Sequence, residues 1–354
     1  MRVLLIKTSS LGDVIHTLPA LTDAQAAIPG IRFDWVVEEG FAEIPVWHPA
    51  VAEVIPVAIR RWRKSPLKTL RSGEWKRFRQ RLHVHKYDLV IDAQCLLKSA
   101  VLTLGIKAPV AGLASDSARE PLASRFYDQR INVPRDQHAV ERVRQLFAKA
   151  LGYPLPSGIG DYGVNQDYLV SEPLTADYLV FLHGTTWVTK HWPELYWRRL
   201  AELAVERGIQ VKLPWGNDAE KARAQRIADG LEGVQVLPRL PLAGMANILA
   251  GARACVAVDT GLGHLAAALD VPTISLYGPT NPGWSGAYGR SQVHLASDFP
   301  CAPCMSKTCK YEPTREDARQ FDLRRELPLC FTRLSPERVM GELEVVLQGA
   351  QTAR

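Results

Sequence analysis

Short apolar runs that end in polar loops recur along the chain. In the first half, these runs cover residues 3–6, 33–37, 89–91 and 110–113. Amphipathic stretches with helical spacing separate them, notably residues 14–27 and 139–150. Strands that alternate with helices are typical of α/β domains built on a parallel sheet. The hydrophobic pattern therefore predicts an α/β fold class.

The same pattern restarts after a segment rich in glycine and proline, residues 151–175. Such a composition is typical of an interdomain linker. Beyond it we expect a helix at residues 193–206 with Gly208 as its C-cap. Further strands are predicted at residues 178–183, 210–213, 234–237, 254–258 and 273–277. This repetition predicts two doubly wound, Rossmann-like domains that face a central cleft, at residues 1–160 and 161–335, with a final helix in residues 336–354.

Composition supports a folded two-domain protein. A chain of 354 residues is long for one core, and 47% hydrophobic with 23% charged residues is typical of globular proteins. No stretch approaches the roughly 20 apolar residues that span a bilayer, and no signal-peptide pattern follows the first apolar run. We therefore expect a cytoplasmic protein.

The net charge of +6 is concentrated in one segment. Residues 60–86 carry eleven lysine or arginine residues against a single acid, Glu74, so this segment alone is +10 and the rest of the chain is about −4. A localised basic field indicates an anionic partner: nucleic acid, an acidic membrane surface or a phosphorylated ligand. A solvated basic helix face is the alternative.

Two loops of the second half suit a diphosphate. Residues 259–264 read DTGLGH and run from a predicted strand into a helical segment, where free amides bind phosphate oxygens. The loop at residues 184–186 precedes Lys190, which suits a second phosphate contact. A tight turn without a ligand and an ordinary surface lysine are the alternatives. The chain has neither a P-loop, nor Gly-x-Gly-x-x-Gly in its first loop, nor Asp-x-Asp, so amides and Lys190 rather than magnesium would balance the charge.

Asp13 lies where the first predicted strand gives way to a helix. An aspartate at this position commonly caps the helix. A general base that faces the cleft would be compatible with the same position. His16, three residues further on, would lie near Asp13 on a helix.

The six cysteines divide into two groups. Cys95 and Cys255 are expected to be small core residues. The other four cluster late: Cys301, Cys304, Cys309 and Cys330. The first two have the spacing of a structural zinc site, although the later intervals of four and twenty residues are less regular. We expect reduced free thiols and no metal in a cytoplasmic protein.

Eight short motifs together resemble the lipopolysaccharide heptosyltransferases, most closely those of type I. They are KTSSLGD (7–13), FDWVVEE (33–39), AIRRWRK (58–64), AREPLAS (118–124), KHWPE (190–194), LPWG (213–216), DTGLGH (259–264) and YGPT (277–280). The resemblance covers the chain to about residue 290. The cysteine cluster and residues 314–328 depart from the type I pattern.

The resemblance implies a GT-B fold with the acceptor on the first domain and ADP-heptose on the second. It implies an inverting transfer of L-glycero-D-manno-heptose from ADP-heptose to a Kdo residue of Kdo-lipid A, without a metal or another cofactor. The closest alternative is the enzyme that adds the second heptose, and the motifs at residues 58–64 and 118–124 favour the first. A basic module that binds nucleic acid or a membrane is an alternative of a different class, and its binding would depend on salt but not on Asp13 or Lys190.

The resemblance also assigns residues to roles. Asp13 is implied to be the general base. Donor-binding residues are implied to be Thr185, Thr186, Lys190, Glu220, Asp259, Thr260, Gly261, Leu262, Gly263 and His264. Acceptor-binding residues are implied to be Lys7, Ser10, Arg60, Arg61, Arg63, Lys64 and Arg119. These cations would meet the Kdo carboxylates and lipid A phosphates at the cytoplasmic face of the inner membrane, with no nucleic acid partner, and the last helix would pack back toward the first domain.

Overall fold

The computed structural model describes residues 1–165, residue 168 and residues 177–352. The chain divides into two units, Met1–Tyr168 and Leu169–Arg354. The predicted domain boundary at residue 160 lies in the same stretch of chain as this division. Within the predicted linker, residues 166, 167 and 169–175 lie outside the described residues.

The first unit contains a parallel sheet flanked by helices. Its strands are β1 (Arg2–Ile6), β2 (Arg32–Glu38), β3 (Val51–Val57), β4 (Leu89–Asp92), β5 (Val110–Leu113) and β6 (Gln129–Ile131). Its helices are α1 (Leu11–Ile15), α2 (Leu18–Ala27), α3 (Glu43–Val46), α4 (Ile59–Lys64), α5 (Pro66–Arg71), α6 (Glu74–Leu82), α7 (Leu97–Ala100) and α8 (Ala139–Leu151). The strands are parallel and lie in the order β3-β2-β1-β4-β5-β6.

The second unit has the same kind of sheet. Its strands are β7 (Tyr178–Leu182), β8 (Gln210–Leu213), β9 (Val234–Val236), β10 (Ala254–Val258), β11 (Thr273–Tyr277) and β12 (Gln292–Ala296). Its helices are α9 (Glu194–Glu206), α10 (Asp218–Ala228), α11 (Leu242–Ala250), α12 (Gly261–Ala268), α13 (Pro282–Ser285), α14 (Asp317–Gln320) and α15 (Pro336–Thr352). These strands are also parallel, in the order β12-β11-β10-β7-β8-β9.

The central strands explain why the hydrophobic pattern was informative. All residues of β7 and β10 are buried, and so are the last four residues of β1. Strands covered on both faces read as continuous apolar runs. The predicted α/β class with two doubly wound sheets is confirmed.

Each sheet changes its direction of winding beside its first strand. In the first unit the strand order reverses between β1 and β4, and in the second between β7 and β10. Ligands of open α/β sheets bind beyond the carboxyl ends of the strands at such switch points. The candidate ligand sites are therefore the loops after β1 and β4 in the first unit and the loops after β7 and β10 in the second.

The predicted helix at residues 14–27 is in fact two helices. α1 ends at Ile15, and α2 begins at Leu18 with Pro19 in its first turn. Proline has no amide hydrogen to donate to the preceding turn, but it is tolerated at a helix start. His16 lies at this break, buried, with its ring 5.4 Å from the ring of His138.

The last helix, α15, is part of the second unit. It packs against α9 and beside β10 and β11. Its apolar residues Val339, Met340, Leu343 and Leu347 belong to the core of that unit. Packing of this helix toward the first domain stays a prediction. None of the helices in the described part of the chain combines the length and the apolar character that a bilayer span needs.

Acidification should weaken both units through two buried histidines. Burial lowers the pKa of His48 and of His183 from 6.5 to about 4. The stabilisation from each neutral ring is complete above pH 6.5 and is lost as the pH falls toward the folded-state pKa. We expect the free energy of unfolding to fall by about 2 kcal/mol per histidine between pH 7.5 and pH 5. Urea unfolding at both pH values measures this change.

A His48→Gln variant provides the control for this pH effect. The ring of His48 accepts from the amide of Ala50 through Nδ1 at 3.1 Å and contacts the Thr22 hydroxyl through Nε2 at 3.0 Å. The variant should be less stable at pH 7.5, and its stability should depend less on pH. A variant with the slope of the wild type would contradict the assignment to His48.

Candidate active site

Asp13 occupies the third position of α1, and Ser10 is the N-cap. The backbone amide and the hydroxyl of Ser10 both donate to Oδ2 of Asp13, at 2.7 and 2.8 Å. Asp13 is therefore the acidic partner of a capping box rather than the cap itself. Among the described residues, Oδ1 of Asp13 has no hydrogen-bond partner. The box fixes the carboxylate and leaves one oxygen available to accept a proton.

The loop after β4 holds the loop that carries Asp13. The side-chain carbonyl of Gln94 accepts from the amides of Thr8 and Ser9, each at 3.0 Å. The ammonium of Lys7 donates to the carbonyl of Ala93 at 3.0 Å, and Lys7 is only 7% exposed. This geometry supports a role for Lys7 in fixing the loop, and its contact with an acceptor stays a prediction.

Lys98 is a cation of this site that the sequence analysis missed. Its ammonium donates to the hydroxyl of Ser9 at 2.9 Å. The pKa of Lys98 is lowered, because partial burial and the charge of Arg60 outweigh the opposite effect of the charges of Glu38 and Asp13. Lys98 therefore lies within electrostatic reach of Asp13 and of the basic helix α4. The only available signal was a lysine shortly after a buried strand.

The predicted acceptor cations have different surroundings. Arg61 forms ion pairs with Glu39 at 3.1 Å and Glu74 at 2.8 Å. Arg60 lies over the ring of Phe41 at 5.4 Å. Arg60 and Arg61 line a pocket of about 440 Å³. Its other lining residues are Glu38, Glu39, Gly40, Phe41 and Lys64.

Three of the predicted acceptor cations have neither an ion pair nor a ring contact with any residue that the structure describes. Arg63, Lys64 and Arg119 are exposed and form no ion pair with any residue that the structure describes. Arg63 and Lys64 end α4, which follows β3, and Arg119 follows β5. All three therefore follow the carboxyl ends of strands in the first sheet, as Asp13 does.

In the second unit, the two predicted diphosphate loops meet at the switch point. The ammonium of Lys190 lies 2.7 Å from Oδ2 of Asp259, and the two side chains are 15% and 8% exposed. The hydroxyl of Thr185 donates to the backbone carbonyl of Asp259 at 3.1 Å. Nε2 of His264 lies 3.9 Å from Oδ1 of Asp259. The fold thus joins residues that are far apart in sequence into one polar site.

The start of α12 offers free amides beside this pair. Thr260 is the N-cap, and the amides of Gly263 and His264 donate to its carbonyl. The amides of Gly261 and Leu262 precede the first intrahelical bonds, so they and the helix dipole favour an anion. At Gly263 an added Cβ would lie 3.2 Å from Cβ of Ala257, which explains why a small residue occupies this position.

Glu220 and Gly184 form a second part of this site. Oε2 of Glu220 accepts from the amide of Gly216 at 2.7 Å. An added Cβ on Gly184 would lie 2.8 Å from the carboxyl carbon of Glu220, so a larger residue here would displace the carboxylate. Thr186, on the same loop as Gly184, is exposed. A partly exposed carboxylate at a strand end can accept hydrogen bonds from sugar hydroxyls.

Two further residues of this region were missed by the sequence analysis. Arg223 donates to the backbone carbonyl of His183 at 3.3 Å and contacts Nδ1 of His191 at 3.0 Å. The hydroxyl of Thr280, after β11, is buried and has no hydrogen-bond partner among the described residues. Thr280 is the last residue of the YGPT motif, and its hydroxyl could serve a ligand.

Comparison with known proteins identifies the family. The model of glycosyltransferase family 9 (heptosyltransferase) matches residues 75–315. Lipopolysaccharide heptosyltransferase 1 of Pseudomonas aeruginosa is 72% identical over 355 residues, which cover 100% of both chains. The chain belongs to glycosyltransferase family 9.

Two further comparisons bear on this glycosyltransferase. The solved structure of the Escherichia coli heptosyltransferase WaaC with ADP-2-deoxy-2-fluoro heptose has a TM-score of 0.81 and 48% identity, covering 97% of this chain and 99% of that chain. Lipopolysaccharide heptosyltransferase 2 of Escherichia coli is 26% identical over 307 residues, covering 80% of this chain and 84% of that protein. The predicted family, the GT-B type of fold and the enzyme class are confirmed.

The late cysteines of this family 9 glycosyltransferase also lie together. Cys301, Cys304, Cys309 and Cys330 line one pocket, and Cys330 is buried whereas the other three are exposed. Burial, together with the charges of the other three thiols when ionised, raises the pKa of the Cys330 thiol to about 12. Cys95 and Cys255 are buried, as predicted.

Proposed function

We propose that this chain transfers L-glycero-D-manno-heptose from ADP-heptose to a Kdo residue of Kdo-lipid A, with inversion at the anomeric carbon. The observation that carries the proposal is the pairing of Lys190 with Asp259 beside the free amides of α12. A cation and helix-start amides at a switch point suit the diphosphate of a sugar nucleotide. WaaC, which is similar over nearly the whole chain, is described with an analogue of ADP-heptose.

The donor side stabilises the leaving group. As the glycosidic bond to ADP breaks, negative charge develops on the diphosphate. Lys190 and the amides of Gly261 and Leu262 provide positive potential at that place, and preorganised groups of this kind stabilise a transition state effectively. Glu220 would hold the ribose hydroxyls through the oxygen that is not bound to Gly216.

The acceptor side supplies the base. Inversion requires a single displacement, so the acceptor hydroxyl must lose its proton as it attacks. Oδ1 of Asp13 takes this proton, while Oδ2 keeps its bonds to Ser10. A carboxylate with a fixed orientation is suited to this role because general-base catalysis depends on alignment with the attacking oxygen.

The exposed cations recognise the acidic acceptor. Arg63, Lys64 and Arg119 bind the Kdo carboxylates and lipid A phosphates: the two guanidinium groups form two-point contacts with these anions, and the ammonium of Lys64 adds a point charge. The enzyme works as a peripheral protein at the cytoplasmic face of the inner membrane, where this glycolipid is available. The basic segment serves this membrane and its lipid and not nucleic acid.

The sequence identities favour transfer of the first inner-core heptose over transfer of the second. Heptosyltransferase 1 of Pseudomonas aeruginosa shares 72% of its residues with this chain, against 26% for heptosyltransferase 2 of Escherichia coli. The decisive experiment mixes the purified protein with ADP-heptose and Kdo-lipid A and measures the acceptor by mass spectrometry. We expect a gain of one heptose. A folded protein that produces no product, or that modifies only an acceptor already carrying one heptose, would overturn the proposal.

Removing Arg63 and Lys64 from α4 should weaken acceptor binding selectively. The double variant Arg63→Ala, Lys64→Ala should raise the KM for Kdo-lipid A about a hundredfold, because two charge-assisted contacts of about 1.5 kcal/mol each are lost. The KM for ADP-heptose should change less than twofold. Steady-state kinetics with each substrate varied in turn measure both values.

Arg71 provides the matched control for this experiment. It is an exposed arginine of the same basic segment and ends α5. Arg71→Ala should leave the acceptor KM within about twofold of the wild type. Equal effects of the two changes would mean that the segment acts only through its overall charge.

A further inference from the structure

The four late cysteines are brought together by an irregular loop. Cys301, Cys304 and Cys309 lie between β12 and α14, where the chain forms no helix or strand. Twenty residues separate Cys330 from Cys309, yet all four cysteines line the same small pocket, of about 20 Å³. This volume suits a single ion and excludes an organic ligand. The fold therefore brings the four cysteines together although their spacing in the sequence is irregular.

Cys330 is the fixed member of the group. An added Cβ on Gly278 would lie 2.8 Å from Sγ of Cys330, so the backbone after β11 lies directly against this thiol. The hydroxyl of Ser297 donates to the carbonyl of Cys330 at 2.6 Å. The remaining three cysteines are exposed on the loop.

We propose that Cys301, Cys304, Cys309 and Cys330 bind one divalent metal ion as thiolates in a tetrahedral structural site. Four thiols lose four protons to solvent and form four metal–sulfur bonds, with no change in oxidation state. Zn²⁺ and Fe²⁺ both accept four thiolates in this geometry, whereas Mg²⁺ and Ca²⁺ require oxygen ligands. Lys307 and Lys310 flank Cys309 and offset part of the negative charge of the thiolates.

The thiols must move closer when the metal binds. In the part of the chain that the structure describes, the one group of three potential ligand atoms within 4.8 Å of one another is Asp34, Glu53 and His85. That group already has its charges balanced, because Asp34 pairs with Arg2 at 2.9 Å and Glu53 with Arg81 at 2.7 Å. Among the described residues the cysteine group has no ion-pair partner, and its three exposed members lie on a segment that forms no helix or strand.

The site would brace the loops that carry the donor-site residues. The amide of Met305 donates to the carbonyl of Pro279 at 2.8 Å, and the hydroxyl of Thr189 donates to the carbonyl of Ser306 at 2.7 Å. Thr189 precedes Lys190, and Pro279 precedes Thr280. A metal that holds the cysteine loop would therefore also hold the two loops beside the diphosphate site.

Elemental analysis tests the proposal directly. The full chain is purified with a reducing agent and without a chelator, and its zinc and iron are measured by mass spectrometry. We expect about one equivalent of metal in total, and the element found identifies the ion. Cys304→Ser and Cys309→Ser, both at exposed positions, should retain less than a tenth of an equivalent. Cys255→Ala removes a buried thiol outside the group and should retain the full metal content.

A second readout is spectroscopic. Co²⁺ added to the metal-free protein should give the absorption bands of a tetrahedral thiolate site, and Cys309→Ser should lack them. Wild-type protein with less than a tenth of an equivalent, variants that keep their metal, or a disulfide within the group would each overturn the proposal. Asp13→Asn should keep its full metal content, so a failure of the transfer reaction and a failure of the metal site are distinguishable.

Discussion

Replacing Asp13 by asparagine should reduce heptose transfer about a thousandfold, while the affinity for ADP-heptose changes less than threefold. Asparagine keeps an oxygen that can accept from the amide of Ser10, so the start of α1 is retained. It cannot take the proton of the acceptor hydroxyl, and loss of a general base costs about two to four orders of magnitude in rate. Mass spectrometry of the acceptor gives the rate, and titration calorimetry gives the donor affinity.

Glu141 offers the control for the helix-start role. It occupies the third position of α8 in the same unit, and its carboxylate pairs with Arg144 at 3.0 Å. Glu141→Gln should lower stability slightly and leave transfer within about twofold of the wild type. Normal turnover by Asp13→Asn would leave Asp13 with the capping role alone.

Replacing Lys190 by alanine should weaken binding of ADP-heptose about a hundredfold. The change removes a charge-assisted contact to the diphosphate. It also leaves the carboxylate of Asp259, which is 8% exposed, without its cation and next to the phosphates. The rate of transfer should fall further than the affinity, because the charge on the leaving group grows in the transition state. Calorimetry with ADP and steady-state kinetics measure the two effects.

A double variant separates the two causes of the weaker binding, the lost contact to the diphosphate and the uncompensated carboxylate of Asp259. Lys190→Ala with Asp259→Asn removes the uncompensated carboxylate and should bind ADP more tightly than Lys190→Ala alone. Lys212→Ala is the matched control, because Lys212 lies over the ring of Tyr178 at 3.6 Å within the same unit. If Lys212→Ala weakened ADP binding as much as Lys190→Ala, the effect would be a general loss of positive charge.

The central part of each sheet was predictable because burial on both faces leaves a continuous apolar run. Three of the four edge strands, β3, β6 and β12, were not predicted, whereas the fourth, β9, was. β3 is half exposed and contains Pro56, and β12 has only one buried residue. At an edge, one side of the strand needs no partner, so proline and polar residues are permitted and the pattern becomes weak.

The predicted site shows a similar division. Lys190 and Asp259 were chosen from separate motifs, and the structure confirms that they are neighbours. Gln94, Lys98 and Arg223 were missed because each is a single polar residue outside any motif. Their importance depends on which loop of the sheet lies beside which, and the sequence alone does not contain that information for isolated residues.

The strand orders of the two sheets make the two units topologically equivalent. Counting from the first strand of each unit, both sheets follow the same order, with the first strand between the second and the fourth. The loop that carries Asp13 therefore corresponds to the loop that carries Thr185, and the loop of Lys98 corresponds to the loop of Asp259. Equivalent loops of one topology thus carry the residue proposed for proton transfer in the first unit and the residues proposed for phosphate binding in the second.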